Sequence, residues 1–147
     1  CALPIYEYHE LVPGVFMGAA ADAQAAVDNE KVDVIVDLRS EATACEASGT
    51  DLTWIKVPLG DNAPGAETAL YKQAIDEVVA AQKAGHQVMF HCGMGRGRTG
   101  TVATGVLLEL GLAKTVDEAE AMAKQIRPQL TLQSVQREAL EQLYSDK

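Results

Sequence analysis

Residues 88–100 read Val-Met-Phe-His-Cys-Gly-Met-Gly-Arg-Gly-Arg-Thr-Gly, and the rest of the chain is interpreted from this stretch. It opens with the apolar run Val88–Phe90, typical of a buried strand, and leads into an apolar segment, residues 99–110, that is typical of a helix. Four glycines lie within residues 93–100, so the backbone can turn tightly and direct several N–H groups into one concave surface. A strand, a glycine-rich turn and a helix in this order predict an anion-binding loop at a helix N-terminus.

The segments around this loop alternate between strand-like and helix-like patterns. This order predicts a single α/β domain over residues 1–147, with residues 1–10 as an N-terminal extension. Its central sheet is expected to be mostly parallel, with four to five strands flanked by helices, and ligands bind beyond the carboxyl ends of such strands. The predicted strands are residues 15–17, 32–36, 54–57 and 88–90, and the predicted helices are residues 20–29, 66–84, 99–110, 115–126 and 133–144.

Composition limits the classes of function. The formal net charge is −9 and the pI is about 4.7, which argues against a nucleic-acid partner, because phosphate backbones bind basic surfaces. No apolar run is long enough to cross a bilayer, so no membrane span is expected. Three cysteines cannot form a complete disulfide framework, and a reduced, cytoplasmic setting is therefore predicted.

Cys92 stands at the rim of the predicted anion site, and Arg98 lies six residues further along the curled loop. Helix N-termini and neighbouring cations lower a thiol pKa to roughly 3.5–7.5, so we expect Cys92 to be a thiolate at neutral pH. A thiolate aimed at a bound phosphoryl group is a nucleophile. The planar guanidinium of Arg98 can hold two phosphoryl oxygens.

The motif His91-Cys92-x-x-Gly95-x-x-Arg98-Thr99-Gly100 resembles the signature of the cysteine-based protein tyrosine phosphatases, and the size of the domain resembles their small dual-specificity branch. The resemblance implies that Cys92 is the nucleophile and that Thr99 stabilises the departing sulfur. It also implies a general acid about thirty residues earlier, where Asp61 follows a predicted strand. The predicted catalytic residues are Cys92, Arg98, Asp61 and Thr99; the predicted phosphate-binding residues are Gly93, Met94, Gly95, Arg96, Gly97 and Arg98; and His91 is predicted to orient the loop.

Several alternative interpretations remain open at this point. The pattern Gly95-x-Gly97-x-x-Gly100 also matches a dinucleotide-binding turn, but that site needs a further strand after the helix, and the sequence there is helical again. Asp37, at a strand end, is the reserve candidate for the acid, and Arg39 either lines the pocket or pairs with Glu41. Cys45 could protect Cys92 as a disulfide. Gln129, Gln133 and Gln136 lie where relatives sometimes position the attacking water, but they are left outside the predicted site.

The expected function is hydrolysis of phosphate monoesters on proteins, at phosphotyrosine and also at phosphoserine or phosphothreonine, through a phosphocysteine intermediate. One alternative is a phosphoinositide or other polyanionic phosphate ester, because phosphoinositide phosphatases of this superfamily often have a basic residue at the position of Arg96. A phosphate-binding module without turnover is a further alternative. The expected partner is a phosphorylated protein or peptide. No metal, no cofactor and a monomeric state are expected.

Overall fold

The computed structural model of the protein describes residues 8–60 and 67–144, and five strands in this part of the chain form one sheet. The sheet order is β1-β2-β5-β3-β4, in which β1 pairs antiparallel with β2 and all other neighbours are parallel. The α/β class and the mostly parallel sheet are therefore confirmed. The strands are β1 (His9–Val12), β2 (Val15–Ala19), β3 (Val34–Asp37), β4 (Thr53–Lys56) and β5 (Val88–Cys92).

Helices cover both faces of this sheet. Helix α1, preceded by a 3-10 turn at Ala20–Asp22, contributes Ala23 and Ala26 to a small hydrophobic cluster on one face. The other helices pack on the opposite face, around the larger hydrophobic cluster. The helices are α1 (Ala23–Glu30), α2 (Thr68–Lys83), α3 (Gly97–Glu109), α4 (Val116–Ile126) and α5 (Ser134–Tyr144).

Strands β3 and β5 lie in the interior of the sheet order, and every one of their side chains is buried. Such continuous apolar runs suit strands covered on both faces. Side chains alternate along β5, so Phe90 and Cys92 face the larger cluster while Met89 faces the smaller one. The parallel register brings the carboxyl ends of β2, β3 and β5 together, which is where the glycine-rich loop begins.

Most elements were predicted from the sequence to within a few residues. Strand β1 was missed; it begins at His9 and so includes two residues of the predicted extension, whose residues 1–7 lie outside the described part of the chain. The predicted helix start at Thr115 is confirmed, since its hydroxyl caps the helix by accepting from Glu118 N–H at 3.1 Å. Residues 110–144 contain only helices and loops, so the dinucleotide-binding alternative is wrong.

Helix α3 carries the second half of the loop into the centre of the protein. Its residues from Arg98 to Leu107 are all buried, because α2, α4 and α5 surround it. A helix enclosed in this way gives the loop a rigid base. Within the described residues, no helix is both long and apolar enough to cross a membrane.

Candidate active site

The loop between β5 and α3, residues 93–96, turns three of its carbonyl groups away from the cavity and toward the protein body. The carbonyl oxygens of Gly93, Gly95 and Arg96 each accept from a donor outside the loop. Since the C=O and N–H of a trans peptide unit point in opposite directions, the N–H groups that follow these carbonyls face the cavity. The donors are Ala20 N–H at 3.2 Å, Arg127 Nε at 2.9 Å and Thr131 N–H at 3.3 Å.

Gly95 and Arg127 fix the tightest point of this loop. Gly95 has φ +71°, and a Cβ there would lie 2.7 Å from the Gly18 carbonyl carbon and 2.8 Å from Ala19 N. Only glycine therefore suits the position. Arg127 is 2% exposed and also contacts His9 Nδ1 at 3.0 Å, so it connects the loop to β1. No local pattern indicated this role, because an arginine before a proline at a helix end looks like an ordinary exposed residue.

Cys92 ends strand β5 and lies at the base of the cavity, 3% exposed. The Thr99 hydroxyl donates to Cys92 Sγ at 3.1 Å, and Thr99 Oγ1 accepts from Cys92 N–H at 3.0 Å. The same hydroxyl lies 3.3 Å from the Gly18 carbonyl, and a single hydroxyl proton can serve either acceptor. Thr99 can therefore turn its proton to the sulfur whenever the sulfur carries negative charge.

Arg98 is held on one edge of its guanidinium by Glu41, a carboxylate that was not expected in the site. The NH1 and NH2 groups of Arg98 donate to Glu41 Oε1 and Oε2 at 2.9 and 3.0 Å, and NH1 also donates to the Leu59 carbonyl at 2.9 Å. The hydrogen bonds from Arg98 lower the pKa of Glu41 to about 2, so this carboxylate is ionised at neutral pH. Glu41 could have been suspected, because it lies just after a parallel strand at the edge where ligands bind.

His91 supports the loop from the opposite face of the sheet. Its Nδ1 lies 3.2 Å from the Cys92 carbonyl oxygen, which can only accept, so Nδ1 carries the proton. Burial lowers the pKa of His91 below its ordinary value, so the ring is neutral at physiological pH. Within the described residues, His91 Nε2 has no hydrogen-bond partner. This geometry suits the predicted orienting role better than proton transfer.

Asp37, the reserve candidate for the acid, does not reach the cavity. It is fully buried, and both its oxygens accept from Arg39, while Oδ2 also accepts from Trp54 Nε1 at 3.0 Å. Burial alone would raise the pKa of Asp37, but the bonds from Arg39 and Trp54 and the nearby His91 lower it overall. Arg39 pairs with Asp37 and Glu46, so neither role considered for it, pocket lining or pairing with Glu41, is correct.

The cavity above the loop has a volume of about 400 Å³ and brings most of the predicted residues together. Arg96 lines it and is exposed, and Met94 is 67% exposed. Gln133 and Gln136 also line it, although neither was expected in the site. The lining residues are Glu41, Cys92, Gly93, Met94, Arg96, Gly97, Arg98, Gln133 and Gln136.

Two further residues of the sequence analysis are Asp61 and Cys45. Asp61 lies outside the described residues, so its role stays a prediction. Cys45 packs against the smaller hydrophobic cluster and Cys92 belongs to the larger one, so the two cysteines lie on opposite faces of the sheet and a direct disulfide is not supported. Residues 8–60 and 67–144 contain no group of three or more His, Cys, Asp or Glu side chains that could hold a metal ion.

The ion pair between Glu41 and Arg98 predicts a pH-dependent loss of stability in Glu41→Gln. The pKa of Glu41 is about 2 in the folded protein against an ordinary 4.5, so its stabilisation is fully present above about pH 5 and is lost as the pH falls toward 2. We expect the free energy of unfolding of the variant to lie below that of the wild type near pH 7, and the difference to shrink below pH 5. Urea unfolding at several pH values measures it.

Glu138→Gln on α5 is the control, because Glu138 is an exposed carboxylate outside the cavity. The difference between this control and the wild type is expected to stay small and nearly constant over the same range. A Glu41→Gln deficit that is equally large at pH 3 and pH 7 would show that the ion pair is not its origin.

Comparison with known proteins places this geometry in a family. A family model described as the catalytic domain of dual specificity phosphatases matches residues 15–146. No curated protein matches the chain in sequence. Among solved structures, human DUSP28 is similar over 98% of this chain and 96% of its own, with 20% identity and a TM-score of 0.82.

Two further structures have the same fold at similarly low identity. One is a mouse protein described as a dual specificity phosphatase and complexed with zinc tungstate. The match extends over 99% of this chain and 91% of the mouse chain, with 18% identity and a TM-score of 0.86. PTPMT1 in complex with PI(5)P matches over 95% of each chain, with 18% identity and a TM-score of 0.77. The family model matches most of the chain, and the loop after β5 brings Cys92 and Arg98 to one cavity. This protein therefore belongs to the family of dual specificity phosphatase catalytic domains.

Proposed function

We propose that this protein hydrolyses phosphate monoesters on phosphorylated proteins, at phosphotyrosine and also at phosphoserine or phosphothreonine, through a phosphocysteine intermediate. The observation that carries the proposal is that Cys92 and Arg98 line one cavity, beside a loop whose carbonyl groups are bonded to other parts of the protein. Such a site stabilises the charge on the equatorial oxygens of a transferring phosphoryl group. Membership of the dual specificity phosphatase family supports the reaction class.

In the first step, the Cys92 thiolate attacks phosphorus, and the bond from phosphorus to the ester oxygen breaks. The leaving oxygen takes a proton from Asp61, since an aryl or alkyl oxide is a poor leaving group. Glu41 cannot supply this proton, because Arg98 lowers its pKa to about 2. Asp37 is excluded by its burial beneath Arg39 and Trp54.

In the second step, water attacks phosphorus, and the bond between phosphorus and sulfur breaks. The proton of the water passes to the Asp61 carboxylate, and the sulfur leaves as a thiolate that accepts a hydrogen bond from the Thr99 hydroxyl, 3.1 Å away. Inorganic phosphate and the starting form of Cys92 are the products. The chain thus supplies a nucleophile, an oxyanion clamp, an acid that becomes a base, and a donor to the leaving sulfur.

The first test is turnover of a phosphotyrosine peptide in the presence of a chelator, because the proposed reaction needs no metal. Cys92→Ser is expected to reduce kcat to background, since a serine hydroxyl at this position is a far weaker nucleophile than a thiolate. Cys45→Ser is the matched control and should retain wild-type turnover, because Cys45 lies on the other face of the sheet.

A trapped phosphocysteine in the wild type would support the mechanism directly. Undiminished turnover in Cys92→Ser would move the nucleophile elsewhere. Phosphopeptide binding without turnover or a trapped intermediate would replace the proposal with a phosphate-binding module.

The assignment of Asp61 predicts a leaving-group effect. For a phosphotyrosine peptide, Asp61→Asn should lower kcat by about 10²–10⁴-fold and should change the limb of the pH–rate profile that reports the acid. The loss should be much smaller for an activated aryl phosphate, whose leaving group needs no proton. Asp51→Asn is the control and should leave kcat unchanged for both substrates. Asp51 has φ 63° in a loop, a conformation that asparagine also adopts readily. An equal loss on both substrates would argue against a proton-donating role.

Arg96 supports a second candidate substrate class, a phosphoinositide headgroup. The side chain is exposed and lines the cavity beside Arg98, so it could bind a further phosphate of a polyanionic ester. The related fold of PTPMT1 has been solved with PI(5)P, which supports the idea by analogy alone.

The two classes are separated by comparing kcat/KM of Arg96→Ala for a phosphotyrosine peptide and for a soluble phosphoinositide headgroup. If the headgroup is the better substrate, we expect kcat/KM of the variant to fall roughly 10-fold or more for the headgroup and little for the peptide. This fall corresponds to the loss of a charge-assisted hydrogen bond of about 1.5–3 kcal/mol. A variant unchanged on both substrates would leave Arg96 without a role in recognition.

The overall charge of the protein bears on its partners. With a net charge of −9, a protein substrate that is basic around its phosphorylated residue would be steered toward the enzyme. We further propose that the protein acts as a monomer in the cytoplasm, where free thiols such as that of Cys92 stay reduced.

A further inference from the structure

Polar contacts beside the cavity connect side chains of three helices. Gln136 of α5 donates through Nε2 to the hydroxyl oxygen of Tyr71 of α2 at 3.2 Å. The Tyr71 hydroxyl interacts in turn with that of Thr101 of α3, and Thr101 Oγ1 donates to the Gly97 carbonyl at 2.8 Å. The last of these contacts is made at Gly97, the first residue of α3, where the loop from Cys92 meets the helix.

Two bonds fix the orientation of the Gln136 side chain. Its Oε1 accepts from Gln133 N–H at 2.9 Å, and its Nε2 donates to Tyr71. An N–H group requires an acceptor opposite it, so a reversed amide would lose the first bond. Gln136 is 4% exposed and Tyr71 is 2% exposed, and at such burial a lost partner is costly.

The Gln136 amide lies at the edge of the cavity that contains Cys92 and Arg98. A Cβ on Gly97 would lie 3.3 Å from Gln136 Nε2 and 3.4 Å from Oε1, so the amide stands directly over the end of the loop. After the two bonds described above, an amide has one N–H and one oxygen lone pair remaining. A donor and an acceptor side by side can hold a water molecule and direct its lone pair.

We infer that Tyr71 is a positioning residue for the second step of the reaction: it holds Gln136 so that the amide orients the water that attacks the phosphocysteine. The inference rests on the proposed function. In this step the water oxygen bonds to phosphorus, the phosphorus–sulfur bond breaks, its electron pair returns to Cys92, and one proton passes to Asp61. The other O–H group of the water donates a hydrogen bond to Gln136 Oε1 and stays on the phosphate that forms.

Tyr71 acts here through geometry and not through proton transfer. Burial raises the pKa of Tyr71 to about 12, so its hydroxyl remains protonated throughout the range of an enzyme assay. Loss of the hydroxyl should therefore slow water attack without moving either limb of the pH–rate profile.

The test is Tyr71→Phe, which removes the hydroxyl and keeps the buried ring. Rapid-quench experiments with an aryl phosphate measure formation of the phosphocysteine and its hydrolysis separately. We expect hydrolysis to slow by roughly 3- to 10-fold, as for one lost hydrogen bond. Formation and kcat/KM should stay at wild-type values, so the phosphocysteine accumulates. A fall in formation and hydrolysis by the same factor would mean that Tyr71 merely supports the fold.

Tyr144→Phe is the matched control. Tyr144 is also buried in the larger hydrophobic cluster, but its hydroxyl donates to Glu109 at 2.9 Å and it does not line the active-site cavity. Both steps should proceed in this variant as in the wild type. Comparison of the two variants separates the loss of a buried hydroxyl in general from the loss of this one.

A double-mutant cycle tests whether Tyr71 acts through Gln136. Gln136→Ala should slow hydrolysis, and adding Tyr71→Phe should then change nothing further, whereas independent effects would multiply. Gln136→Glu replaces Gln136→Ala if the latter does not fold. Independent effects, or normal phosphocysteine hydrolysis in Tyr71→Phe, would overturn the inference while Cys92-dependent turnover, and with it the proposed function, still stands. A wild-type protein that forms no phosphocysteine would overturn both.

Discussion

The structure depends on three carbonyl groups, in the loop from Gly93 to Arg96, that turn away from the cavity and toward the protein body. A peptide loop has as many acceptors as donors, and it can attract an anion only if its acceptors are occupied elsewhere. Here the residue after β2, the segment before α5 and a buried arginine each occupy one of them. Much of the fold can be understood from this requirement, because the sheet edge and the helix ends must converge on four residues to meet it.

The conformation of the loop after β5 could be predicted well because its residues are constrained locally. Cys92, Arg98 and Thr99 lie within eight consecutive positions, and a strand-to-helix turn of this length can close in few ways. The central strands were equally clear, since continuous β-branched runs such as Val34–Val36 suit only a covered sheet. Strand β1 was missed because His9–Val12 is short, lies at an edge and mixes charged with apolar residues.

Partners that are distant in the sequence could not be predicted in the same way. Glu41 reaches Arg98 across 57 positions, and Gln136 reaches Tyr71 across 65, so each contact exists only once the helices have packed. Arg127 is the clearest case: its burial depends on the approach of β1 and the loop to the end of α4, which no local pattern records. Closeness in the sequence can also mislead: Glu41 is two residues from Arg39 but pairs with Arg98, and Arg39 pairs with Asp37.

Helix α2 occupies an unusual place in this arrangement. It begins at Thr68, seven residues after Asp61, and one turn later it carries Tyr71, whose hydroxyl reaches Gln136. A single helix thus follows the segment that contains the predicted acid, Asp61, and also holds the Gln136 amide at the edge of the cavity. The packing of α2 against α3 and α5 therefore fixes where the Tyr71 hydroxyl meets Gln136, although no residue of the loop around Cys92 belongs to this helix.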